Sequence, residues 1–331
     1  MSTVRKALIG VVGIALVATG CGGKREDNKS AQPQPGGQTS CEAPEGRVTI
    51  ATGNVGGVYY VLGGGLAQVI SNNSKLKATA ADTGASVQNI QQLTDKTYDI
   101  AFSLADTAAD AVQGKAAFEG KPQQVQALAR IHSNYTQVVV RADSGINSVA
   151  DFRGKRISTG SPKSGTEVIA NRLLQASGLK DSDLSPQRLA LRQTVDGMKE
   201  GKVDGLVWSG GLPTPEITDL TTSMGDKVKF IDITPQLDAL KQLNPVYDRG
   251  TIPAATYKQS SDVPTIVVPN FLLVRADFPA ANACAVTKLI FDKKADLEKT
   301  HPSAKEITRE TAVKTDPVPV HPGAKQALGV S

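Results

Sequence analysis

Between residues 47 and 274, short apolar runs alternate with apolar stripes at three- and four-residue spacing, and this alternation most limits the possible fold. Arg47–Thr52 predicts a strand, and the glycine-rich turn Gly53-Asn54-Val55-Gly56-Gly57 follows it. A helix comes next, carrying Val58, Val61, Leu62, Leu66, Val69 and Ile70. Leu76–Thr79 predicts a second strand, and Ser86 is placed as an N-cap before the stripe Val87, Ile90 and Leu93. Further strands are predicted at Tyr98–Ser103 and Val125–Ile131. A βαβα order of this kind favours a parallel sheet covered by helices on both faces.

A second unit of the same build starts near Tyr135, with a strand at Gln137–Arg141, a short helix at Ser148–Phe152, and a turn at Gly154 into Arg156–Ser158. Ser164-Gly165-Thr166-Glu167 has the spacing of a capping box, Val168, Ile169 and Leu173 form the buried stripe behind it, and Gly178 suits the helix end. A helix around Val195–Lys199 and a strand at Gly205–Ser209 follow. Thr214 is expected to cap a helix that opens with Pro215. Val263–Val274 is expected to return the chain to the first unit.

The N-terminal segment has a different purpose. Arg5 and Lys6 precede an apolar run from Ala7 to Ala18, the length of a signal-peptide core and short of the roughly 20 apolar residues of a membrane span. Ala18-Thr19-Gly20-Cys21 resembles a bacterial lipobox, in which Cys21 would receive lipid and become the mature N-terminus. The alternative is an ordinary cleaved leader with an incidental cysteine. Gly22–Ser40 holds no large apolar residue and reads as a flexible tether. The expected plan is therefore a leader at 1–20, a tether at 21–40, one lobe from 41–133 with 263–331, and a second lobe at 134–262.

Only three cysteines occur in the 331 residues, so lipidation of Cys21 leaves Cys41 and Cys284 as an even pair in an oxidising compartment. A disulfide between them is expected; otherwise Cys284 is a small buried hydrophobe in an Ala-rich helix.

The charge is 37 Lys and Arg against 32 Asp and Glu, and Arg5 and Lys6 belong to the leader. That surplus is too small for a nucleic-acid surface, so no nucleic acid is expected as a partner. His132, His301 and His321 lack metal-site spacing, and neither metal nor cofactor is expected. The nucleophile-elbow pattern is missing around Ser161 and Ser164, and the glycines at 53, 56 and 57 miss the dinucleotide fingerprint. These features argue against an enzyme.

Several fragments, in order, carry a family resemblance: Ala51-Thr52-Gly53 leading to Gly57-Val58-Tyr59-Tyr60, then Thr83-Gly84-Ala85-Ser86-Val87-Gln88-Asn89. Ser148 to Arg156, Gly160 to Glu167 and Trp208-Ser209-Gly210-Gly211-Leu212-Pro213 complete the set. From about Arg47 to Pro279 the chain resembles the TAXI family of solute receptors associated with TRAP-type transporters. It lacks that family's aromatic-rich C-terminal helix, so nothing functional is carried onto the residues after His321.

The resemblance implies an α/β, two-lobed type II periplasmic-binding-protein-like fold. Each lobe would be a mostly parallel sheet flanked by helices, with hinge strands between. With the lipobox and tether described above, the chain is expected to be an exported lipoprotein on the outer face of the bacterial cytoplasmic membrane, held by an acyl anchor. Such a receptor would close around glutamate, 2-oxoglutarate or a similar small carboxylate and pass it to TRAP-type permease subunits. The alternative is a ligand-sensing lipoprotein feeding a membrane receptor such as a histidine kinase.

The residues themselves support a small anionic or zwitterionic ligand. Ser161, Ser164, Gly165 and Thr166 bring small side chains and hydroxyls to a helix N-terminus, where unpaired N–H groups accept an anion. Thr52, Gly53, Tyr59, Ser86 and Asn89 would face them from the first lobe. Trp208 is read as a cleft wall, with Gly211 beside it. Each has a plainer reading: capping for Ser164, turn geometry for Gly53, and packing for Tyr59 and Trp208. Arg130, Arg141 and Arg275 are possible charge partners, none preferred.

Overall fold

The computed structural model describes residues 41–331. The expected leader, the lipidation site Cys21 and the tether to residue 40 lie outside the described residues. Strand β1 (Gly46–Ala51) lies between β2 (Leu76–Ala81) and β3 (Ile100–Leu104), parallel to both. Helix α1 (Val58–Asn73) crosses from β1 to β2, and α2 (Ser86–Thr94) from β2 to β3. These are the parallel crossovers that the periodicity requires. Helix α3 (Ala105–Gln113) leaves β3 without a loop.

Strand β4 (Val125–Arg141) runs unbroken through what the sequence divides into two strands. The polar run His132-Ser133-Asn134-Tyr135-Thr136 looks like an interruption, yet its backbone is paired on both sides. Ser133, Asn134 and Tyr135 lie opposite Pro269, Val268 and Val267, while Tyr135 and Thr136 also face Gly210 and Ser209. Sheet pairing keeps this stretch extended whatever its side chains.

The following units are β5 (Arg156–Ser158), α4 (Gly165–Ala176), β6 (Ser185–Gln187), α5 (Leu191–Lys199), β7 (Gly205–Gly210) and α6 (Pro215–Met224). Strand β5 pairs in parallel with β6 and β7. Then come β8 (Val228–Phe230), α7 (Leu237–Leu243), β9 (Asp248–Ile252) and the long β10 (Val263–Arg275). Helices α8 (Ala280–Asp292), α9 (Lys294–Thr300), α10 (Arg309–Ala312) and α11 (Pro322–Leu328) finish the chain.

The sheet order is β2-β1-β3-β10-β4-β7-β5-β6, with β8 beside β4 and β9 beside β10. The two long strands serve both halves of it. Residues 263–267 of β10 pair with β9, and residues 270–274 pair with β3. The early part of β4 pairs with β10 and the later part with β7. The fold is the two-lobed periplasmic-binding-protein type, with β4 and β10 running between the lobes.

The apolar stripes fill three clusters. One packs α1 and α8 on β1, β3 and β10 through Leu62, Leu66, Ile50, Leu272 and Val286. A second joins Ile90 and Leu93 of α2 with Ile169 and Leu173 of α4. A third gathers Val195, Leu206, Ile217 and Leu220 around β7. Cys41 and Cys284 are disulfide-bonded, tying the segment before β1 to α8.

Candidate functional site

The ends of strands and the starts of helices meet around one small cavity of about 30 Å³. The β1–α1 connection supplies Gly53, Asn54, Gly57, Val58 and Tyr59, and the start of α2 supplies Ala85 and Ser86. Leu104 ends β3, and Asn134 stands in the middle of β4. Ser164, Gly165 and Thr166 come from the start of α4, and Trp208, Ser209 and Gly210 from the end of β7. The first-turn N–H groups of α1, α2 and α4 thus converge on one place. Helix geometry leaves such groups without intrahelical acceptors, and the helix dipole adds positive potential there.

The hydroxyls around the cavity share one arrangement. Ser164 caps α4, its Oγ accepting from Glu167 N at 3.0 Å. Thr166 Oγ1 accepts from Ser209 N at 3.2 Å, and Ser86 Oγ accepts from Leu104 N at 3.1 Å. The Ser164 and Thr166 oxygens are anchored by accepting, which leaves their protons available to donate, whereas Ser86 also bonds the Tyr59 phenol. Ser209 Oγ is buried with no partner at all. Tyr59 donates its phenol proton to Asn270 Oδ1 on β10, and burial holds its pKa well above the ordinary phenol value.

Trp208 is a wall of the cavity and 9% exposed. Its Nε1 donates to Thr214 Oγ1 at 3.1 Å, and its six-membered ring lies against the Gly57 turn. Gly165 is confined from the other side: a methyl there would stand 2.5 Å from Leu104 Cδ1 and 2.6 Å from Ser86 Oγ.

Of the residues singled out from sequence, Gly53, Tyr59, Ser86, Ser164, Gly165, Thr166 and Trp208 line the cavity. Four others do not. Thr52 is buried with its hydroxyl on Ala81 O. Asn89 is fully committed within the fold, donating to Thr52 O and Phe102 O and accepting from Thr83 Oγ1. Ser161 spans to the opposite loops, with Oγ 3.2 Å from Asn54 Oδ1 and 3.4 Å from Gly84 O. Gly211 packs on Ser303 and Val58 instead.

Three capping expectations also change. Ala85, at φ 78°, is the N-cap of α2, and Ser86 is its first residue, so the Ser86 hydroxyl serves Leu104 and not its own helix. Glu167 closes back on Lys163 N, because the Ser164 N–H is already bonded to Ser161 O. Thr214 occupies the cap position of α6, but its hydroxyl is taken by Trp208 and Gly211 O. None of the three candidate arginines lines the cavity; Arg141 pairs with Asp143, and Arg275 with Asp277.

Asn54, Asn134 and Ser209 line the cavity as well. The signal for Ser209 is its place in the Trp208–Pro213 string. Asn134 gave none, because its role depends on partners 75 and 136 residues away: it donates to Ser209 O and accepts from Asn270 Nδ2.

A second cluster joins α4 to α3. Arg172 donates to Asp106 Oδ2 at 2.9 Å, to Asp110 Oδ2 at 2.6 Å and to the Tyr247 hydroxyl at 2.9 Å. Tyr247 donates to Asp106, and Asn244 Nδ2 reaches Asp106 O. Burial opposes the Arg172 charge, but Tyr247, Asp106 and Asp110 more than offset it and keep the guanidinium protonated. Burial raises the pKa of Asp110 despite Arg172.

Residues 50–328 match the NMT1-like family. Among solved structures, a protein of Bordetella bronchiseptica RB50 is similar at 22% identity, over 86% of this chain and 80% of that one, with a TM-score of 0.52. A Xanthomonas citri protein solved bound to ATP is similar at 11% identity, over 86% and 94%, with a TM-score of 0.50. The alkanesulfonate-binding protein of Xanthomonas axonopodis pv. citri, bound to MOPS, aligns at 16% identity over 87% and 85%, with a TM-score of 0.47. At these identities the likeness concerns the fold.

Proposed function

The chain belongs to the NMT1-like family, and from that membership and the cavity we propose that it is an extracytoplasmic solute-binding receptor for a small carboxylate. The observation that carries this reading is the meeting of three helix N-termini and five hydroxyls, those of Tyr59, Ser86, Ser164, Thr166 and Ser209, on one small cavity. Such a place binds an anion. The ligand shifts the lobes towards a closed form, with β4 and β10 as the hinge between 41–133 with 263–331 and 134–262. The TAXI resemblance supports delivery to a TRAP-type transporter, and the sequence up to residue 40 supports export and a lipid anchor at Cys21. Among the described residues, no helix is long and apolar enough to cross a membrane.

The test is a titration of lipid-free protein with amino acids and carboxylates, glutamate and 2-oxoglutarate first, followed by thermal shift and Trp208 fluorescence. A ligand at a hundred times its Kd adds about 2.7 kcal/mol of stability. The double variant Ser164→Ala, Thr166→Ala is expected to weaken binding; unchanged affinity would remove this cavity from the reading. Co-purification with a TRAP permease expressed alongside, dependent on ligand, tests the delivery step.

A further inference from the structure

The cavity wall is made without charge. Among the described residues no Arg, Lys, His, Asp or Glu lines it, and the lining Tyr59 keeps its proton on Asn270. Charged groups behind the wall are engaged elsewhere: Glu216, behind Gly56, pairs with Arg192, Asp106 is held by Arg172 and Tyr247, and Glu167 is bonded by Lys163 N and Arg188. The two lining asparagine side chains are also committed. Asn54 donates to Thr83 O and accepts from Ser161, and Asn134 joins Ser209 O to Asn270. Among the described lining side chains, the buried Ser209 Oγ has no hydrogen-bond partner.

Resting on the receptor reading above, we propose that the ligand is a small organic anion with a single negative charge and no cationic group. The best fit is a monocarboxylate carrying a neutral 2-oxo or 2-hydroxy oxygen, with Ser209 bonding that oxygen. One carboxylate is satisfied by helix-start N–H groups and the protons of Ser164 and Thr166. A second carboxylate would lose its water with no cation to receive it. An ammonium group would meet the positive ends of three helices and no carboxylate. Leu104, Val58 and Trp208 leave an apolar side for a short aliphatic chain.

Size-matched titration separates charge from bulk. The five-carbon set is 2-oxopentanoate, 2-hydroxypentanoate, pentanoate, L-norvaline, 2-oxoglutarate and L-glutamate; the three-carbon set is pyruvate, L-lactate and L-alanine. In calorimetry at neutral pH, the 2-oxo or 2-hydroxy monocarboxylate is expected to bind at least about tenfold tighter than its amino or dicarboxylate counterpart. Equal or tighter binding of 2-oxoglutarate, L-glutamate or either neutral amino acid overturns this proposal and leaves the receptor reading standing. Binding of no carboxylate overturns both. Ser209→Ala, with its fold checked by melting, is expected to weaken 2-oxopentanoate more than pentanoate; an equal loss for the two removes Ser209 from recognition.

Discussion

Helix α4 meets the opposite side of the molecule at two places, and they are built by opposite rules. At its first turn, Ser164, Gly165 and Thr166 face Ser86 and Leu104 across a cavity without a charged wall residue. Two turns further on, Arg172 is buried against Asp106 and Asp110, all three almost without solvent exposure. Charge sits where its partner is a permanent part of the chain; on the receptor reading, it is left out where the partner must come and go. A buried charge whose partner leaves is costly, whereas a neutral hydroxyl or N–H can exchange a ligand for water.

The largest way to break this contrast is Arg172→Met. It leaves Asp106 and Asp110 buried beside each other without a cation, and a loss of about 3–5 kcal/mol is expected in denaturant unfolding. Adding Asp106→Asn and Asp110→Asn should recover much of it. Loss in the single variant below about 1 kcal/mol would mean that the cluster is solvated in the working protein.

Gly165→Ala strikes the neutral contact. Its methyl meets Leu104 and Ser86 at overlapping distances, so a cost of about 1–3 kcal/mol is expected, with weaker ligand binding. Unchanged affinity would show that the two walls do not approach in the bound form.

Asp110→Asn gives a smaller, pH-dependent effect. The Asp110 carboxyl pKa is raised in the fold, so its contribution to stability is fully present below its ordinary unfolded value of 3.8 and is lost as pH rises through the folded value. The variant is therefore expected to gain slightly on the native protein at neutral pH and to lose that gain as pH falls towards 3.8. Melting curves across acidic and neutral pH check the sign. Least of all should change at the cavity, where affinity for a fully ionised ligand is expected to stay flat between about pH 6 and 8 because no wall group titrates there.

The two places also differ in how far the sequence disclosed them. The start of α4 was legible because a serine cap, a glycine and a Glu three residues later are local signals with local causes. Ser86 reads as a cap from its local pattern, but it lines the cavity with its hydroxyl supporting β3, and Ala85 holds the cap position of α2. Thr52 and Asn89 misled because polar residues beside a glycine turn look available, and only the fold shows their hydrogen bonds already spent. The Arg172 cluster left no trace in the sequence. Its members lie 62 to 75 residues from Arg172, and an arginine in the middle of a helix reads as solvent-facing until tertiary packing surrounds it. Strand β4 was divided for a similar reason, since pairing partners decide extension through His132–Thr136 and side-chain pattern does not.

The Cys41–Cys284 bond has a mechanical consequence. Cys41 lies just ahead of β1, whose first residue is Gly46, and β1 is the strand that both β2 and β3 pair against. Force drawn along the chain from residues before Cys41 passes through the sulfur bridge into α8, and so does not peel β1 from its neighbours. Helix α8 packs broadly on α11, which spreads that load over the C-terminal segment. A pull on the chain ahead of Cys41 is thus met by a covalent bond to α8, and not by the hydrogen bonds of β1.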